Sequence, residues 1–160
     1  MRPDQRFHTY ELEYDSLAAG ASQAQSFTVE TLYDFWIFKQ QAFVLDVAME
    51  VQAIDGTMPM IDVLMQDGSS QAQLSNKPLA LAAVFGTGQI PYILPQPHLI
   101  PAGAQFTVTV TNRHSANDYT IRLQFSGVHV PPGGVPGRAV PAARSAVAVA
   151  RRAVAPRALR

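Results

Sequence analysis

The sequence contains no cysteine among its 160 residues, which excludes a disulfide framework, a thiolate zinc site and a cysteine nucleophile. Long hydrophobic runs are also missing: the longest unbroken apolar stretch is the seven residues 79–85, too short to cross a bilayer. The N-terminal residues 1–15 have no apolar segment of the kind found in secretory signal peptides. We therefore expect a soluble protein of a reducing compartment, with no membrane partner.

Acidic residues are missing from the C-terminal end. Residues 1–130 hold twelve acids and six bases, whereas residues 131–160 hold six arginines and no acid. This asymmetry predicts that the basic tail docks on an acidic protein surface, either that of its own body or, as the favoured prediction, that of an adjacent copy or of another protein. A weakly selected extension is one alternative. Nucleic acid is another, disfavoured because the tail has no interleaved aromatic residues.

Alternation of apolar and polar residues predicts a strand over residues 7–14, and the small polar residues 16–25 favour a flexible connector. The aromatic and β-branched content of residues 33–38 and 43–51 predicts two further strands, with a turn or bulge at Gln40 and Gln41. A helix over residues 30–40 is the alternative to the first of them.

Four prolines interrupt residues 89–103, so this segment is predicted to run extended at a sheet edge or across the surface. Residues 105–112 and 119–130 alternate clearly and are predicted to form a hairpin. Their inward side chains are predicted to build the core: Phe106, Val108, Val110, Tyr119, Ile121, Leu123 and Phe125.

Short strands separated by turn signals predict an all-β fold, an antiparallel β-sandwich with a jelly roll as the leading topology. Up-and-down barrels and immunoglobulin-like sandwiches stay open as alternatives. The predicted organisation is an extended N-terminal arm and connector over residues 1–25, a sandwich body over 26–130, and a Pro/Gly linker with a basic C-terminal tail over 131–160.

No pattern predicts catalysis, a metal site or a cofactor. Gly86 and Gly88 lack the third glycine and the Lys-Ser/Thr of a phosphate-binding loop, so a turn is expected there. The four histidines are scattered without metal-ligand spacing and are assigned to surface or packing roles: His8, His98, His114 and His129. We therefore expect a protein that is not an enzyme.

Protein contacts are the predicted function of the remaining unusual residues. The strand over residues 33–38 is apolar on both faces, which favours a core or interface position for Trp36 over a ligand platform. Tyr92, Ile93 and Leu94 lie in the proline-rich segment and need a partner surface. In the tail, a helix over residues 142–155 would place Arg144, Arg151 and Arg152 together for docking.

Residues 91–95 (PYILP), 100–103 (IPAG), 106–112 (FTVTVTN) and 123–127 (LQFSG) together resemble the C-terminal half of small β-rich structural proteins of tailed bacteriophage virions. The resemblance covers residues 26–130. It implies a capsid decoration or cement protein with a jelly-roll-like body, commonly a homotrimer. The implied partner is the major capsid protein, and the implied location is the virion, assembled in the bacterial host cytoplasm.

The alternative function is a carbohydrate- or receptor-binding β-sandwich module of a phage fibre, spike or neck. In that alternative, Trp36 and neighbouring tyrosines contact the ligand.

Overall fold

The computed structural model describes residues 5–46, 60–69, 72–87 and 89–136. Within these ranges the chain forms nine strands and one short helix. They are β1 (Arg6–Leu17), β2 (Ser22–Thr28), β3 (Asp34–Asp46), β4 (Ile61–Asp67), β5 (Ala72–Gln73), β6 (Leu79–Ala80), α1 (Leu81–Val84), β7 (Tyr92–Ile100), β8 (Gln105–Asn112) and β9 (Tyr119–Val130).

The strands build two antiparallel sheets that pack face to face. Sheet I has the order β1-β9-β3-β7, and sheet II has the order β2-β8-β4-β5, with β6 also paired to β4. The successive long strands β1 to β4, and again β7 to β9, alternate between the two sheets. This is the jelly-roll arrangement of an all-β sandwich, so the predicted fold is confirmed. An up-and-down barrel would instead pair strands that are neighbours in sequence.

Strand alternation fills the space between the sheets with apolar side chains. Phe106, Val108 and Val110 of β8 point inward and are fully buried, as are Ile121, Leu123 and Phe125 of β9. The buried Tyr14 hydroxyl of sheet I donates a hydrogen bond of 2.7 Å to the Val108 carbonyl of sheet II. The predicted core residues of β8 and β9 are therefore confirmed.

The predicted hairpin between residues 105–112 and 119–130 is wrong. β8 pairs with β2 and β4, whereas β9 pairs with β1 and β3. The connection over residues 113–118 therefore crosses from one sheet to the other. The buried Asn112 side chain holds this crossing by donating to the carbonyls of Leu17 and Asn117.

The N-terminal segment belongs to the sandwich. β1 pairs with β9 along most of its length, which confirms the strand but places it within its own chain's sheet. The flexible connector predicted over residues 16–25 is wrong in its second half, since β2 begins at Ser22 and pairs with β8. The predicted boundary at residue 25 therefore lies inside a strand.

β3 is one continuous strand, so the helix alternative is wrong and no turn occurs at Gln40 and Gln41. The register against β9 shifts between Ile37 and Lys39, which leaves Phe38 as the extra residue of a β-bulge. Among the described strands, β7 pairs with β3 alone and forms an edge of sheet I, as predicted for the proline-rich segment.

Candidate functional site

The two outer faces of the sandwich differ in chemistry. On sheet II, the side chains that alternate away from the core are mostly small and hydroxylated, and they include Ser22, Ala24, Ser26, Thr107, Thr109 and Thr111. Some bond to one another across the strands, for example the Ser22 and Thr111 hydroxyls at 2.7 Å. Such a face is compatible with solvent.

The outer face of sheet I carries large apolar side chains. In the register of β1, β9, β3 and β7, the outward set includes Phe7, Trp36, Phe38, Phe43, Leu45, Leu99 and Val128. An antiparallel sheet that faces water on one side is normally polar there. Exposed apolar surfaces are typical of interaction sites, so this face is the candidate functional site.

Five of these residues form what we call the aromatic patch: Phe7, Trp36, Phe38, Leu99 and Val128. The bulge in β3 turns Phe38 toward Phe7, and their ring centroids lie 6.2 Å apart. Phe7 is 52% exposed, whereas Trp36 is half-buried. The Trp36 indole nitrogen is buried and has no hydrogen-bond partner among the residues that the structure describes.

The edge strand β7 extends the apolar surface. Ile93 is 58% exposed and Tyr92 is 37% exposed, whereas the partly buried Leu94 packs against the core. The pairing with β3 skips from His98 to Ile93, so residues 94–97 form a bulge in β7. Proline at 91, 95 and 97 removes backbone donors from this strand, so an added partner strand is disfavoured and contact through side chains is favoured.

A close backbone contact holds the entry to β7. A Cβ atom added at Gly86 would lie 2.1 Å from the Ile90 carbonyl oxygen, so only glycine fits. The Thr87 amide donates to that same oxygen, and the Ile90 amide donates to the Thr87 hydroxyl. The Gly86 region therefore forms the predicted turn, which presents Tyr92 and Ile93 at the edge.

The other half of the outer face contains a recess of about 290 Å³, lined by Glu11, Phe43, Leu45, Arg122 and Gln124. Arg122 donates to the Glu13 carboxylate at 2.6 Å, and Gln124 donates to Glu11 at 2.7 Å. The hydrogen bond and charge of Glu13, with further contributions from Glu11 and Asp15, raise the pKa of the Arg122 guanidinium. We call this site the β9 recess.

Histidines occupy packing and turn positions. His129 is buried, stacks on His8 and contacts the Tyr10 hydroxyl at 3.2 Å. His98 lies 3.7 Å from the buried Asp67 carboxylate of the facing sheet. His114 accepts backbone hydrogen bonds in the crossing after β8. Among the described residues, no group of three or more His, Asp or Glu side chains is arranged to hold a metal ion.

The register places Trp36 and Ile93 on the outer face of sheet I. Tyr92 pairs with the buried Gln40 and therefore lies on the opposite face of β7, at the sheet edge, and Leu94 packs against the core. Arg144, Arg151 and Arg152 lie outside the described residues. Sequence reasoning missed Phe7 and the β9 recess. The alternation in β1 placed Phe7 opposite Tyr10 and Tyr14, but nothing in the sequence indicated that β9 and β3 lie beside it.

Comparisons with family models, with curated proteins and with solved structures gave no match to this chain. No helix among the described residues is long and apolar enough to cross a membrane.

Proposed function

We propose that the protein is a non-enzymatic structural protein that decorates or cements the capsid of a tailed bacteriophage. In this proposal, the aromatic patch joins copies of the protein into a homotrimer. The exposed side chains of β7 contact the major capsid protein. The protein is then a component of the virion.

One observation carries the proposal: the two outer faces of the same sandwich differ, and among the described residues only the outer face of sheet I combines aromatic with large aliphatic side chains. Solvent exposure does not explain this difference, because both sheets are antiparallel and both have alternating strands. Aromatic side chains are enriched in the buried centres of protein interfaces. The contrast supports a partner on sheet I.

The geometry of β7 supports a second contact next to the first. Tyr92 and Ile93 are exposed at the start of β7, the edge strand of sheet I, directly after the turn that Gly86 fixes. A preformed apolar edge of this kind contacts a partner without a large cost of ordering. Two separate surfaces allow the protein to bind other copies and a capsid lattice at the same time, which raises avidity.

The carbohydrate-binding alternative receives less support. A sugar platform needs an aromatic ring that solvent reaches on one face and a polar group that a hydroxyl can reach. Trp36 is half-buried, and its indole nitrogen is shielded from solvent. We therefore retain the structural proposal.

The proposal is tested by sedimenting purified protein with capsids that lack it. We expect Ile93→Glu to weaken binding by at least about tenfold, because a buried unpaired carboxylate costs more than 1.4 kcal/mol at an interface. Leu32→Glu is the matched control, because Leu32 is also exposed, at 72%, but lies in the turn before β3. Equal binding of the two variants would contradict the β7 contact, and no binding of the wild type would contradict the proposal.

A further inference from the structure

The chain folds back over the outer face of sheet I after β9. Val130 and Asp34 are opposite each other in the register, one residue beyond the inward pair His129 and Phe35, so both belong to the outer face. The Gly133 amide donates to the Asp34 carboxylate at 2.8 Å, and the Gly134 amide closes a turn onto the Pro131 carbonyl.

This turn covers the end of the outer face. A Cβ atom at Gly134 would lie 3.4 Å from Val130 Cβ, so the backbone passes directly over that side chain, which is 1% exposed. The second Asp34 oxygen accepts a hydrogen bond from the Ala102 amide, which fixes the carboxylate. The turn at residues 131–134 therefore lies against the end of the outer face of sheet I, and the described residues end two positions later, at Pro136.

The β9 recess lies within reach on this same face. Gln124 is six residues before Val130 on β9, a distance of about 20 Å at the rise of a strand. The 24 residues 137–160 span this distance several times when extended, at up to about 3.3 Å per residue.

The recess complements the composition of these residues. Its floor is apolar, with Phe43 and Leu45, and its rim carries Glu11 and Glu13, with Asp15 two residues further along β1. Three carboxylates face the single guanidinium of Arg122 there, an excess of negative charge. Residues 137–160 are mostly alanine and valine, with six arginines and no acid.

We propose that the basic tail, residues 137–160, docks in the β9 recess of its own chain. Small apolar side chains contact Phe43 and Leu45, and the arginines face the carboxylates of β1. The tether through the turn at residues 131–134 keeps the tail at a high effective concentration over this face, which favours its own recess over that of a second copy. This inference does not depend on a capsid partner.

A pair of engineered cysteines tests the proposal, because the natural chain has none. The test pair is Gln124→Cys in the recess with Ser145→Cys in the tail. The matched control pair is Ile93→Cys with Ser145→Cys. Ile93 pairs with Lys39, which in turn pairs with Ser126 of β9. Two strand spacings and four residues of β9 place Ile93 about 16 Å from the end of β9. Ile93 is therefore at least as near to the end of β9 as the recess is.

We expect the test pair to form a disulfide at least about tenfold faster than the control pair, in a product of monomer mass. High salt should remove most of this difference, because the attraction is between exposed charges. Equal rates for the two pairs would show an undocked tail, and a product of dimer mass would show that a second copy fills the recess. Either result would overturn the proposal, whereas neither bears on capsid binding.

Discussion

His129 stacks on His8 at one end of the sandwich, with ring centroids 4.5 Å apart and planes inclined by 16°. His129 is 3% exposed, and Tyr33 lies parallel to its ring at 5.6 Å. Burial lowers the pKa of His129 below its ordinary value of 6.5, and the neighbouring His8 lowers it further. The Glu30 charge acts in the opposite direction without reversing the result.

This pair predicts a loss of stability in mild acid. Because the folded state holds the pKa of His129 below that of the unfolded chain, the unfolded state binds more protons below pH 6.5. The pKa of His98 is also lowered, chiefly by burial, so its effect has the same sign. Stability is therefore highest above about pH 7 and falls as the pH drops through the folded pKa values.

Urea unfolding between about pH 7.5 and pH 5 checks this expectation. We expect the wild type to lose stability over this range and His129→Gln to lose less, since one of the two titrating groups is gone. The free energy of unfolding of the variant at about pH 7.5 measures the packing that the substitution removes, separately from the pH dependence. The same pH dependence in both proteins would contradict the role of His129.

The aromatic core predicts a large effect for Phe125→Ala. Phe125 is fully buried and contacts the rings of Phe27 and Phe106 of sheet II and the ring of Phe85, which follows α1. We expect the free energy of unfolding to fall by about 3–5 kcal/mol. Phe7→Ala, at a half-exposed ring, should cost less than about 1 kcal/mol in the monomer, and a similar small loss for Phe125 would contradict the register of β9.

Gly127 should not tolerate a side chain. It lies in the central strand β9, and a Cβ atom there would come within 2.2 Å of the Trp36 carbonyl oxygen and 2.7 Å of the Phe35 ring. Gly127→Ala therefore forces the backbone of β3 or β9 to shift, and we expect a loss of about 1–3 kcal/mol. Thermal unfolding measures it, and an unchanged melting temperature would show that the two strands lie further apart.

The aromatic patch predicts self-association. We expect sedimentation equilibrium at tens of micromolar protein to give the mass of a trimer for the wild type. Phe7→Glu should give the mass of a monomer with the same β-rich circular dichroism, because Phe7 is 52% exposed and its ring makes little core contact. A wild type that is monomeric under these conditions would contradict the trimer, and a trimeric Phe7→Glu would place its interface elsewhere.

Local sequence patterns predicted which residues form strands better than they predicted which strands pair with one another. The alternation of Phe106, Val108 and Val110 was enough to predict a strand and its inward face, because side chains alternate whatever the neighbour is. The same pattern did not reveal whether the turn after Asn112 stays within one sheet. That turn has six residues, enough to cross the ~10 Å between packed sheets, so a hairpin and a crossing have the same local sequence.

The first half of β2, residues 22–25, was missed for a different reason. Its Ser, Gln and Ala residues have little intrinsic preference for strands, and it depends on pairing with β8, more than 80 residues away. The candidate functional site was also predicted only where a single strand determines it. Trp36 was predicted from its own strand, whereas the β9 recess needs Glu11, Phe43 and Arg122 from three distant strands.

The most direct test of the central claim is a cryo-EM reconstruction of tailed-phage capsids incubated with the purified protein. The proposal predicts density for the jelly-roll sandwich on the outer surface of the capsid, with Tyr92 and Ile93 of β7 against the major capsid protein. Contact through the hydroxylated face of sheet II would contradict the assignment of the surface. Capsids without this density would contradict the decoration function itself.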